Sequence, residues 1–536
     1  IPMGEAMQVQ HGHGLHLHEV LLQARSPRPL VLVSVLLASV VLLLVRRFGS
    51  GTATARAKEE ALSKLPSPRG RLPVIGHLHL VGSLPHVSLR DLAAQHGRDG
   101  LTLLRLGAVP TLVVSSPASA QAVLRTHDHV FASRAHSPVT DILFYGSTDV
   151  AFCPYGDHWR QVKKIATTHL LTARKVRSYR DARLHEVRLV VAKVRDAVGG
   201  AVDMSDLLNA FANDIVCHAV SGKSFRKKGH NKLFRELVEA NSSLIGGFNL
   251  EDYFPALVKV DIIKRMVCAK ARRVRKMWDD LLDGLIDDHA SNKPAAEHGG
   301  DDSDFIHVLL SIQQEYNLTR DHIKAQLEIM FEAGTDTSFI VMEYAMVRLM
   351  QNPKIMTKLQ AEVRSTIPKG KDTVTEDDVK SLAYLKAVIK ETLRLHMPAP
   401  LLVPHLSMAD CDINGYMIPS GTRTIVNSWA LARDPGGWES AEEFMPERFM
   451  EGGSAATMDY KGNNFLYLPF GTGRRICPGI NFAIVTIEIM LANLMYHFDW
   501  KLPPGSVESG ISMTESFGVT VHRKEKLLLV PLMPQD

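Results

Sequence analysis

One short stretch, FGTGRRICPG from Phe470 to Gly479, constrains this chain more than any other. It places one cysteine, three glycines and two adjacent arginines directly ahead of INFAIVTIEIMLANLMYHF, whose apolar residues cover most of a helix surface. A helix apolar on every side has to be buried. Pro478 suits the first helical position, so the Cys477 sulfur is expected where that buried helix begins. Backbone N–H groups left unsatisfied there, aligned with the positive end of the helix dipole, favour a thiolate over a thiol. Gly471, Gly473 and Gly479 let the chain turn tightly around a large flat ligand, and Arg474 or Arg475 can pair with a carboxylate. A purely structural cysteine would leave those glycines and arginines unexplained. Together they describe a socket for haem.

The rest of the chain suits such a core. With 536 residues, 45% of them hydrophobic, it can bury a large interior. After residue 85 the pattern is mostly helical: LRDLAAQHG, PASAQAVLRTH, DHWRQVKKIATTHL and the long segment from Asp321 to Met350 repeat every 3.6 residues. LTLLRLGAVPTLVVSS alternates as a hairpin about Val109-Pro110, and CDINGYMIPSGTRTIVN and VTVHRKEKLLLVPL add late strands. SNKPAAEHGGDDSD, residues 291–304, reads as a surface loop between two helices, not a domain boundary. One mainly α domain with small β-sheets is therefore expected. A net charge of +5, from 62 basic and 57 acidic residues, is too mild and too evenly spread for nucleic acid. The five cysteines (Cys153, Cys217, Cys268, Cys411, Cys477) form no CxxC pair, which argues against a cysteine zinc site and a disulfide framework and favours a reducing compartment.

The amino-terminal region has its own logic. Residues 1–29 read as a short disordered tail with histidines at 11, 13, 16 and 18, and residues 30–47 as a transmembrane anchor, sixteen uncharged residues ending at Arg46-Arg47. The basic residues beyond it favour a cytosolic body. Residues 48–82 form a linker whose prolines at 66, 68 and 73 make a stiff hinge, and residues 83–536 are the globular domain.

FGTGRRICPG resembles the cytochrome P-450 haem-binding signature, F-x-x-G-x-R-x-C-x-G, at Phe470, Gly473, Arg475, Cys477 and Gly479. The likeness runs from roughly residue 64 to 533. It implies the cytochrome P-450 fold, haem b with an axial thiolate from Cys477, O2 as co-substrate, NADPH-cytochrome P-450 reductase as electron donor, and a single-pass protein of the endoplasmic reticulum membrane. Three further motifs agree. KETLRLH sets Glu391 and Arg394 three apart on one helical face. Alone this would be a solvated surface pair, but the resemblance implies a buried structural network with Arg448 of PERF. In FEAGTDTSF, Ala333 and Gly334 remove bulk and Thr337 lies one turn beyond Ala333. A lone threonine in such a setting is more often bonded back to its own helix; the resemblance implies that Asp336 and Thr337 relay protons during catalysis. In WRQVKK, the likeness implies that Trp159 and Lys163 hold a haem propionate, with lysine where many relatives carry arginine, and His405 of VPHLS occupies another propionate-binding position. Lys164 is expected on the surface that receives the reductase.

The family's reaction inserts one atom of O2 into a substrate, and the electrons must come from outside because no nicotinamide or flavin fingerprint follows a strand in this chain. The segments at pocket positions by resemblance (137–144, 247 onward, 330–337, 398–404 and 515–520) are mainly apolar, with Asp141, Glu251, Asp252, Glu332, Asp336 and Glu515 as exceptions, so a small hydrophobic substrate is expected. PERFM, ICPGINFA, FNLEDYFP and ESFGVTVHRKEKLLLVP resemble the plant microsomal group, and within it the grass enzymes of benzoxazinoid biosynthesis. That finer likeness implies hydroxylation of indolin-2-one, or of indole or 3-hydroxyindolin-2-one. Oxidation of another plant metabolite or a herbicide, or a non-catalytic haem-binding membrane protein, are the alternatives.

Overall fold

A computed structural model describes residues 52–223, 230–247, 249–256, 259–291, 303–505 and 510–534. The tail and anchor expected over residues 1–29 and 30–47 lie outside the described residues. The chain divides into two compact units, one ending at Ser63 and one running from Lys64 to Asp536. In the first, the described part is the helix Ala53–Ser63.

The second unit is mainly helical and is built around the 32-residue helix Arg320–Gln351. Its start is fixed by a capping box: the Thr319 hydroxyl accepts from the His322 amide at 3.2 Å while the Thr319 amide donates to His322 Nδ1 at 3.3 Å. Most of its residues are buried on every face, because it threads between the helices Met204–Ser221, Ala383–Leu395 and Ile480–His497. Gly334 sits where the helix passes Met204–Ser221. A Cβ there would lie 2.8 Å from Val216 Cγ2, so this glycine permits close helix packing in addition to lining the cavity described below.

The apolar helix after the cysteine runs from Ile480 to His497. With a mean hydropathy of 1.4 over 18 residues it is long and apolar enough to cross a membrane, yet it lies in the protein core, with Met490, Leu491 and Leu494 wholly buried. It begins later than the sequence suggests. Gly479 is its N-cap, and Pro478 stands before the cap instead of at the first helical position. The Cys477 amide donates to the Phe470 carbonyl at 3.0 Å, which keeps the chain in a turn until Gly479.

Four small sheets complete the body among the described residues. The strands are β1 (Leu101–Leu106), β2 (Val109–Val114), β3 (Val202–Asp203), β4 (His405–Leu406), β5 (Cys411–Ile413), β6 (Tyr416–Ile418), β7 (Arg423–Val426), β8 (Asp499–Lys501), β9 (Glu515–Phe517), β10 (Val521–Arg523) and β11 (Leu528–Leu532). The largest sheet has the order β1-β2-β7-β4, with β2 and β7 parallel. The β1–β2 hairpin turns at Gly107 and Ala108, not at Val109-Pro110. Pro110 pairs with Arg105 inside β2, just before the first residue that pairs with β7, so its missing N–H costs no ladder bond. The proline-rich stretch read as a hinge is stitched to β1: Leu103 donates to the Pro66 carbonyl at 2.7 Å, and the Arg105 amide to His77 Nδ1 at 3.0 Å.

Candidate active site

The loop ahead of the core helix is shaped by its own backbone. Gly471 and Gly473 have φ of +68° and +69°, and a Cβ on Gly473 would stand 2.4 Å from the Leu124 carbonyl oxygen. The two arginines diverge. Arg474 pairs at the surface with Asp128 at 3.2 Å. Arg475 turns inward, donating to the carbonyls of Ala132 (2.7 Å) and Cys153 (2.6 Å), with its guanidinium 4.2 Å from the Trp159 ring centroid.

Inside lies a cavity of about 280 Å³. Phe470, Cys477 and Gly479 form one part of its lining, and Ala333, Gly334 and Thr337 of the long helix another. Trp159, Lys163, His405 and Arg475 also border it, so most of the residues singled out in the sequence for haem or catalysis meet at one space. Gly473 and Asp336 do not border it. Sequence reasoning missed Arg134, a buried lining residue that donates to Val403 (2.6 Å), Pro404 (3.1 Å) and Ala151 (3.1 Å). Its one trace in the sequence is a charge inside the run VFASRA.

The electrostatics are those of a dry, basic socket. Burial pushes the Cys477 thiol up, while the Gly479 amide, 3.4 Å from Sγ, and the Lys163 ammonium pull it back. Burial therefore outweighs the helix-start effect expected from the sequence. Burial also brings Lys163 down to about 8, its ammonium donating to the Ile476 carbonyl at 2.6 Å, and Arg475 down to about 10. His405 is held neutral, pulled down to about 3 by burial and then by the Arg134 charge, with Nδ1 2.7 Å from the Phe131 carbonyl. The Trp159 indole donates to Val150 at 3.1 Å.

The two residues expected to relay protons face different ways. The Thr337 hydroxyl donates to the Ala333 carbonyl at 2.7 Å, the back-bonded arrangement, and the residue lines the cavity. The Asp336 carboxyl is buried against the segment joining β9 to β10, accepting from the Thr520 hydroxyl and standing 3.3 Å from His522 Nε2. Burial pushes its pKa up; His522 and Thr520 oppose that.

The family model for cytochrome P450 matches residues 66–530. This chain is a cytochrome P450. Among curated relatives it is 53% identical to the indole-2-monooxygenase of Zea mays, over 98% of this chain and 99% of that one. It is 52% identical to the 3-hydroxyindolin-2-one monooxygenase (97% and 98%) and to the indolin-2-one monooxygenase (98% and 97%) of the same plant. A solved zebra fish cytochrome P450 with abiraterone superposes with a TM-score of 0.70 at 23% identity, covering 85% of this chain and all of the other.

The socket of this cytochrome P450 fits haem b. Gly471 and Gly479 border the cavity with almost nothing in reach of an added Cβ, only Leu402 Cδ1 at 4.0 Å and Cys477 Sγ at 3.7 Å, so the loop presents a flat floor beside the sulfur. Arg134, Lys163 and Arg475 supply positive charge for carboxylates at its rim.

Away from the cavity, Arg394 grips Glu391 through two bonds, 2.7 and 2.8 Å, and Arg448 Nε reaches the same carboxylate at 3.4 Å. All three are buried. Other donors of the two arginines bond the carbonyls of Ala432, Ala441, Glu443, Glu439 and Ser440 and the Met445 sulfur.

Two of the expected pocket segments contribute lining, 330–337 and 398–404; the segments 137–144, 247 onward and 515–520 do not. None of Asp141, Glu251, Asp252, Glu332, Asp336 or Glu515 borders the cavity. Val216 and Ala219 of the helix Met204–Ser221 stand there instead, brought in by the close packing at Gly334.

Proposed function

We propose that this cytochrome P450 monooxygenase hydroxylates indolin-2-one, with indole and 3-hydroxyindolin-2-one as the neighbouring candidates, in benzoxazinoid formation. The names of its Zea mays relatives support an indolic substrate. The observation that carries the reading is the wall built by the helices Met204–Ser221 and Arg320–Gln351. Its polar side chains are the hydroxyls of Thr337 and Ser338, and among the described residues none of it is charged. A charged substrate would lose its hydration against this wall with no partner, whereas a flat neutral heterocycle is accepted.

In this reading the Cys477 thiolate would hold the haem iron, Arg475, Lys163, Trp159 and His405 would meet its carboxylates, and Phe470 and Gly479 would shape the floor, with Gly473 turning the loop behind it. Bound haem supplies the redox chemistry by which the family places one atom of O2 in its substrate. The chain's own residues exclude water and manage protons. Thr337, its hydrogen tied to Ala333, lines the cavity with an oxygen still able to accept a hydrogen bond. Asp336 lies buried behind it, its proton affinity raised by burial, in reach of the half-buried His522. Glu391, Arg394 and Arg448 act as fold residues. Residues 30–47 anchor the protein in the endoplasmic reticulum membrane, and the exposed Lys164 helps the cytosolic body receive a reductase.

Microsomes containing this chain and a plant reductase, given each heterocycle with NADPH, are expected to add one oxygen atom's mass to indolin-2-one most rapidly. Failure on all three overturns the substrate assignment. Release of the chain from the same membranes by carbonate overturns the anchor.

A further inference from the structure

Three helices converge at a point that the haem chemistry does not use. The helix Met204–Ser221 ends there, the helix Ala269–Ser291 brings His289 in its last turn, and Asp304 caps the helix Phe305–Ser311, on which His307 follows. Two of the three side chains are oriented by bonds to backbone. His289 Nδ1 is 2.6 Å from the Leu285 carbonyl, and Asp304 Oδ1 accepts the His307 amide at 2.8 Å. The atoms left over face one another. His289 Nε2 and His307 Nδ1 stand 3.2 and 2.8 Å from Asp304 Oδ2, and all three lie within 4.8 Å of one another. His289 and Asp304 are buried, and the Ser221 carbonyl is 3.2 Å from His289 Nε2.

This is how metal sites are prepared. A ligating histidine donates one ring N–H to a carbonyl so that the other nitrogen points at the ion, and a ligating carboxylate is itself held by a hydrogen bond. Two imidazoles and a carboxylate make a borderline N/O donor set suited to zinc, and an outward shift of a few tenths of an ångström would bring the ligand-to-ligand spacings to the edges, about 3.3–3.6 Å, of a tetrahedron with bonds of about 2.0–2.2 Å. The carbonyl ends of two long helices also point partial negative charge at the spot. Gly222, at φ +66°, keeps the space open, since a Cβ there would lie 2.8 Å from Asp304 Oδ2.

We propose that His289, Asp304 and His307 bind a divalent cation of the zinc class, with the Ser221 carbonyl or a water as fourth ligand. The ion staples the helices that supply Ala219 and Phe305 to the haem cavity, so it steadies one wall of the substrate site. The competing arrangement is a clasp in which protons occupy the place of the ion.

The test uses the haem-loaded full chain with His11, His13, His16 and His18 replaced by serine, so that the amino-terminal histidines cannot contribute. After chelator treatment, exposure to zinc chloride and dialysis, the parent should retain one zinc per chain by atomic emission. His307→Ala and Asp304→Asn should each weaken binding by roughly ten-fold or more. The reduced carbon-monoxide band reports the fold of each sample, and the variant that keeps it decides the comparison. A parent that retains no zinc, or a folded variant that retains as much as the parent, overturns the site and leaves the protonated clasp.

Discussion

Thr337 sits at the meeting of two demands. Its hydrogen is held by the Ala333 carbonyl, yet the residue lines the cavity, and a hydroxyl oxygen that donates its hydrogen can still accept a hydrogen bond. Thr337→Ala removes the acceptor and leaves the helix intact. NADPH consumption should persist within a few-fold while product per NADPH falls several-fold, and Thr337→Ser should restore the ratio; unchanged coupling in the alanine variant removes Thr337 from the mechanism. At this scale the sequence was most informative where residues act in a fixed spacing. The Cys477 loop is legible because glycines, arginine and cysteine must all fall in one turn. Arg134 is not, because its partners at Val403 and Pro404 lie about 270 residues away and leave no periodic trace. His405 borders the cavity, but a single residue carries no sign of the Phe131 carbonyl that occupies its Nδ1.

Among the elements, the crossing of Arg320–Gln351 with Met204–Ser221 sets the shape of the cavity. Gly334→Ala would drive a methyl into Val216 and is expected to cost about 1–3 kcal/mol, as overpacked cores do. Val216→Ala should recover most of that loss in the double variant, measured by thermal unfolding of the haem-loaded protein; additive losses would show that the contact is not the cause. The long helix was located to within a residue or so at each end by its length and the Thr319 cap, although burial on most faces leaves it almost no one-sided apolar stripe. Alternation found the β1–β2 hairpin but put its turn two residues late. Proline is a strong turn former, and only the register with β7 reveals that Pro110 lies where its missing N–H is harmless. The late start of the helix Ile480–His497 has the same character: Pro478 would suit a first turn, and the Phe470–Cys477 bond forbids it.

For the whole molecule, buried acids govern the response to pH. Burial first, and then the Asp336 charge, push Glu332 from 4.5 up to about 8, against the pull of an Asn241 amide 3.2 Å away. Folded Glu332 is thus neutral where an unfolded one is ionised. Its contribution to stability is full below pH 4.5, declines as pH rises and is lost by about 8. Glu488, raised to about 7 by burial, adds to the same slope. Glu332→Gln should therefore flatten the fall of the thermal midpoint between pH 5 and 8, with the variant gaining on the parent toward the alkaline end; parallel curves would show that Glu332 is ionised in the folded protein. The single large helical body was legible from composition and the lack of dividing linkers. The attachment of the proline-rich stretch was not, because its bonds to β1 run through backbone atoms that no side chain announces.

The parallel pairing of β2 with β7 joins residues near 110 to residues near 425, and β3 near 200 finds its partner β11 at 528–532. A ribosome that has delivered the whole central helix has therefore released neither of those partners, and at about 5–20 residues per second the first half of the chain waits many seconds for them. Until then two strand edges are exposed to whatever else is nearby. A chain cut short before residue 525 would carry the cysteine loop and yet lack the strand that closes its opening half.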